Sequence, residues 1–178
     1  MGDISQIDRS VFSVTNRLRS DPSSFIPLLQ ERLTYYEGGK TDKKVLRLPG
    51  KPPIRSNEGP AAVLEAIEFL KKQQPVQTLR WSPEMAMAAR DHTVDTGGKG
   101  LMTGHEGSDG SDTSDRLERY GHWTGGIAEN ISYGKEFGIN VVLQLLVDDG
   151  VPSRAHRRNL FDEDSTVTGI HSGPHTTM

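Results

Sequence analysis

The sequence predicts an α+β domain in which helices outnumber short strands, and three observations carry that reading. Apolar residues recur at helical spacing in several separate segments. Most of those segments open on a Ser, Asp or Asn cap or on a proline at the first helical position. Runs of β-formers are few and short: Val45–Leu48, Ile131–Tyr133 and Thr166–Ile170.

Residues 8–36 read as two helices. Ile7, Val11, Val14 and Leu18 form the apolar stripe of the first; Asp21-Pro22 breaks the chain and starts the second, which ends at Gly38-Gly39. Residues 38–59, rich in Gly, Pro and Lys, read as a long surface loop with a short extended piece. Pro60–Gln74 is a helix with Ala62, Leu64, Ala66, Ile67 and Leu70 on its apolar face. Ser82-Pro83 opens another, expected to run to about Thr96 and stop at Gly97-Gly98. Its His92 reads as a hydrogen-bonded core histidine. Ser111 or Asp112 caps a short helix from Thr113 to Tyr120, and Gly125–Tyr133 turns into a strand. Asn140 is expected to cap the next helix, whose last turn holds Asp148 and Asp149, and Ser153 to cap the last one.

Length and composition bound the function. At 178 residues the chain can bury one core. A net charge of −3 supplies no global basic field for nucleic acid or an anionic surface. With no cysteine, disulfides and thiolate metal sites are excluded. Residues 1–7 form an N-terminal extension with no apolar signal core, and no apolar run is long enough to span a bilayer.

The chemistry-bearing residues lie between Gly104 and Asn159, at or beside element ends, and are expected to converge on one polar cavity. The acidic loop Gly104–Asp112 lacks EF-hand spacing, and His105-Glu106 does not begin a zincin helix. Glu129 precedes a predicted strand, where propensity does not favour it; a loop position on the surface is the plain alternative. Asp148 and Asp149 face the negative end of a helix dipole, an arrangement costing about 0.3–1 kcal/mol unless a metal, an arginine or an imidazolium offsets it. Arg154, Arg157 and Arg158 can do so as ordinary ion pairs. His156, in the first turns of the last helix, reads equally as a capping or packing residue or as part of the cavity. No serine sits in a nucleophile elbow.

Val14-Thr15-Asn16-Arg17-Leu18-Arg19 with Asp21-Pro22, then Leu79-Arg80-Trp81-Ser82, Gly104-His105, Ala128-Glu129-Asn130-Ile131 and Ala155-His156-Arg157-Arg158-Asn159 occur in that order. Together they resemble the CAP superfamily: the cysteine-rich secretory proteins, antigen 5 and the plant pathogenesis-related group 1 proteins. The resemblance is nearest to the cysteine-free branch of microbes and protists and covers Asp8 to His175. It implies a single domain over residues 8–178, an α-β-α sandwich with a small antiparallel sheet of three or four strands between helical layers. It also implies a cavity holding two histidines and two acids, here His105, His156, Glu129 and Asp148, with Asp149 close behind as the alternative second acid. Ala128 stands where the family has Gly, and Asp148 where Glu is common, one methylene shorter. The family's final strand, after Gly173-Pro174-His175, has no counterpart before Met178.

The implied function is a binding module. Its cavity would hold a divalent metal, zinc or another first-row ion, and its groove a sterol, another small apolar lipid or a protein partner; nucleic acid is not expected. Both acids would also orient the imidazoles. Without metal the cluster would be a proton-sharing network titrating near neutrality. The alternative is a metal-dependent hydrolase or protease at the same site, with Glu129 as base. The family implies secretion, whereas the chain as it stands reads as intracellular.

Overall fold

Local signals set most helix starts. The structure, a computed structural model, describes residues 4–36, 43–101, 104–134 and 137–177. Helix α1 (Gln6–Ser20) begins at Ser5, whose Oγ accepts from Asp8 N at 3.0 Å. Asp21 closes α1 through its backbone N–H and caps the 3₁₀ turn Pro22–Phe25, which feeds α2 (Ile26–Thr34). The expected stop at Gly38-Gly39 lies outside the described residues. Strands β1 (Val45–Leu46) and β2 (Ile54–Arg55) pair antiparallel, making a hairpin of the expected loop. Helix α3 (Pro60–Leu70) follows, then β3 (Arg80–Trp81) and α4 (Pro83–Lys99), which Ser82 caps with Pro83 in the first turn. Helix α5 (Thr113–Glu118) has an Asp112–Asp115 capping box. Helices α6 (Gly138–Val147) and α7 (Ala155–Leu160) and strand β4 (Val167–Thr168) complete the order.

One helical layer comprises α1, α2, α3, α6 and α7, and encloses the core around Leu18, Phe25, Leu29, Val63, Leu70, Val142 and Leu146. The second comprises α4 and α5. The β3–β4 pair, parallel, runs between them. Trp81 meets Phe12 of α1 edge-on at 5.5 Å, and Gly169, just past β4, lies so close to α4 that a Cβ would collide with Ala86 N. The architecture is therefore an α+β sandwich. Its sheet is reduced, among the described residues, to two two-stranded ladders rather than one of three or four strands.

Four local expectations are corrected. Residues 131–133 form no strand: Ser132 Oγ donates to Gln144 Oε1 and the Tyr133 ring packs against His175, so side chains hold this segment in place of a ladder. Helix α4 runs through Gly97-Gly98 to a left-handed Gly100. Those glycines do not end the helix; at Gly97 a Cβ would lie 2.5 Å from Pro174 O, where the C-terminal segment crosses. Asn140 is not a cap, because α6 starts earlier, with Gly138 against Ser10 and Val11 of α1. Ser153 does not cap α7 either, and its replacement lies in the candidate site.

Candidate functional site

The buried face of α6, with Val142, Leu145 and Leu146, fixes where that helix ends. The end is unusual. Asp148 leaves α6 with φ 56° and Arg154 enters α7 with φ 51°, the only non-glycine positive φ values among the described residues. Each strained residue is held by several bonds. Arg157, buried in α7, donates from Nε to Leu146 O at 2.6 Å and from Nη2 to Val147 O at 3.0 Å; Arg154 Nη1 donates to Asp148 O at 2.8 Å. The carbonyls orphaned at the end of α6 thus receive cationic donors. Arginines supply the compensation expected at this helix end.

The Asp148 carboxylate, its side chain 2% exposed, turns to α7. Oδ2 accepts from His156 N at 3.0 Å and Arg157 N at 3.3 Å, so Asp148 caps α7 from six residues upstream of the N-cap position. Oδ1 accepts from His156 Nδ1 at 2.7 Å. An ionised carboxylate only accepts, which puts the imidazole proton on Nδ1. Asp149 does something else: its two oxygens accept Asn57 N and Glu58 N, both at 2.7 Å. The acid that meets His156 is Asp148.

His105 and Glu129 form a second pair of the same kind, with Nδ1 donating to Oε1 at 2.7 Å. Both residues sit on loops, and α5 supplies their support. Thr113 Oγ1 donates to Glu129 Oε1 at 2.9 Å. Arg116, 2% exposed, donates from Nη2 to both Glu129 oxygens at 3.1 and 3.0 Å, and from Nη1 and Nη2 to His105 O. Burial pushes the Glu129 carboxyl upward, but bonds from His105, Arg116 and Thr113 outweigh it and hold the group below the usual glutamate range. Arg116 escapes sequence reading, because an arginine in a short polar helix looks solvated. The one signal is that Thr113 and Arg116, three apart, share a helix face.

Two asparagines tie the pairs together. Asn130 Nδ2 donates to His156 O at 3.2 Å, and Asn159 Nδ2 donates to Asn130 Oδ1 at 2.9 Å and to Glu129 O at 3.4 Å. An open cavity of about 380 Å³ lies over the His105 pair, lined by His105, Thr113, Ile127, Ala128, Glu129 and Asn159 among others. His156 and Asp148 do not line it, so the four expected site residues form two linked pairs rather than one convergent lining. His92 is buried as expected, with Nε2 bonded to Gly104 O at 2.8 Å.

In type, the donor set suits zinc: each imidazole is oriented through Nδ1 by a carboxylate, and Nε2 of neither makes a hydrogen bond among the described residues. In arrangement, no group of three or more His, Asp or Glu side chains that could hold a metal ion occurs among the described residues. A site built here would draw on the two imidazoles, with the carboxylates behind them.

No curated protein and no solved structure matches the chain. The CAP family profile, described as the cysteine-rich secretory protein family, matches residues 12–177. That match runs from the middle of α1 through β4 and includes every residue of the two pairs, and on it the chain belongs to the cysteine-rich secretory protein (CAP) family.

Proposed function

We propose that this CAP domain is a binding protein, with His105 and His156 as the ligands of a divalent metal, zinc or a similar ion. The cavity beside His105 takes a small apolar lipid, a sterol or a protein partner. The observation that carries the metal reading is the matched pair of 2.7 Å Nδ1–carboxylate bonds, which aims each Nε2 lone pair away from its acid. Glu129 and Asp148 then act behind the imidazoles, fixing their tautomers. The Asn130–Asn159 link supports both rings serving one ion, with water completing the coordination. Ile127 and Ala128 give the cavity wall its apolar part.

The hydrolase reading needs Glu129 as a general base. Its carboxylate already accepts from three side chains and is held below the usual range, so it has little tendency to take a proton. That favours binding over catalysis.

The test is calorimetric titration of chelator-treated protein with zinc. Saturable one-to-one binding, lost in both His105→Ala and His156→Ala, is expected. No heat in the wild type, or loss in one variant only, would overturn the shared two-imidazole site.

A further inference from the structure

The β1–β2 hairpin carries a charge that the rest of the chain does not share. Residues 43–55 contain Lys43, Lys44, Arg47, Lys51 and Arg55 and no acid, a net of +5 in a chain of net −3, so the remaining residues carry −8. Extending the count back to Glu37, Lys40 and Asp42 lowers it only to +4. All five basic side chains are exposed, and exposed Pro49, Pro52 and Pro53 lie among them. Ile54 joins them as one of the few large apolar residues left open, 44% exposed.

The hairpin is anchored from below. Leu46 is buried in the core, and Arg47 N donates to Tyr35 O at 2.9 Å. Lys44 Nζ and Ser56 Oγ brace the two arms through Asn57 O at 2.6 Å and Lys44 O at 2.7 Å. At the base, Asp149 grips Asn57 N and Glu58 N, and Arg154 forks onto Glu58. A basic surface with apolar residues between its cations is thus presented on a fixed support.

We propose that this hairpin docks the protein onto an anionic phospholipid surface, with Lys43, Arg47, Lys51 and Arg55 facing the headgroups, Lys44 adding its charge from the brace, and Ile54 and the prolines entering the interfacial layer. Cations near such a surface each add attraction, and interleaved apolar side chains add a contact that a soluble polyanion cannot offer. The net −8 elsewhere works against a long polyanion such as nucleic acid, which would wrap past the hairpin. It also orients the molecule, because the hairpin is basic while the remainder of the chain carries a net −8. The surface is separate from the His105 and His156 pairs, so the two proposals stand or fall independently.

The experiment is co-sedimentation with vesicles of phosphatidylcholine, with and without phosphatidylserine, at low and physiological ionic strength. The wild type is expected to sediment with the serine-containing vesicles only, less so as salt rises. The triple variant Lys43→Gln/Arg47→Gln/Lys51→Gln should bind on the order of a hundredfold more weakly, at about fivefold per charge. Ile54→Asp should weaken binding with all five cations kept. Unfolding midpoints equal to the wild type's check that both variants fold. Failure of the wild type to bind anionic vesicles at low salt would overturn the proposal, as would undiminished binding by the triple variant. Capture by soluble heparin with vesicles ignored would also overturn it.

Discussion

The Asp148–His156 and His105–Glu129 pairs are built from the same groups at the same 2.7 Å, yet they rest on different supports. Asp148 lies between two helix ends, its side chain 2% exposed, and its partner His156 is 24% exposed. Glu129 is 17% exposed and His105 54% exposed, both on loops steadied by one buried arginine. The first pair is part of how α6 and α7 join the core; the second is an open contact laid over a cavity. The difference teaches that one chemical motif can be tied into helix ends in one place and lie open over a cavity in another.

Three changes would sharpen or break that contrast. The largest effect is expected for Asp148→Ala, which removes the acceptor for His156 N, Arg157 N and His156 Nδ1 at once. It should lower folding stability by about 3 kcal/mol in denaturant titration. A loss under about 1 kcal/mol, the ordinary size of a single helix cap, would mean that Asp148 is no more structural than a surface cap.

A middle effect concerns the strap beneath the corner. Glu58 is held at about 2 by its hydrogen bond from Arg154 and by Gly150 N–H, with burial opposing. Its folded pKa thus lies below the value of about 4.3 for a free glutamate. The pair's contribution is therefore complete above about pH 4.3 and lost as pH falls towards about 2. Glu58 is a third exposed, so Glu58→Gln should cost about 1 kcal/mol at neutral pH after allowance for screening. Acid unfolding curves of variant and wild type should converge near the low end of that window. A gap that persisted there would show that the mutation acts through something other than the charge.

The smallest effect is expected at the open pair. His105→Ala should change stability by no more than about 0.5 kcal/mol, while abolishing the zinc heat. If it instead unfolds the domain as Asp148→Ala does, the two pairs are equivalent supports and the contrast fails.

Much of the fold was legible because its signals are local. Ser82-Pro83, Asp21-Pro22 and Asp112 mark helix starts that need only neighbouring amides to be satisfied. The signals misled where a residue's reason lies far away in sequence. Gly97 looks like a helix stop but makes room for Pro174, and Ile131–Tyr133 looks like a strand but has no ladder partner among the described residues. The ordered motifs put His105, Glu129, Asp148 and His156 forward as candidates, and the structure pairs His105 with Glu129 and His156 with Asp148. Their grouping into two pairs was not legible, since it depends on which backbone amides each carboxylate meets.

By itself the sequence determined the family, the α+β class and the helix starts at Asp21, Ser82 and Asp112, because each is written in short stretches of chain. Tertiary structure decided the rest. It buried Arg116 against Glu129, moved the α7 cap from Ser153 to Asp148, and raised a basic hairpin from a segment that reads as loop. Each of these pairs groups distant in sequence, and only packing determines which of the possible partners a buried charge or an unpaired amide meets.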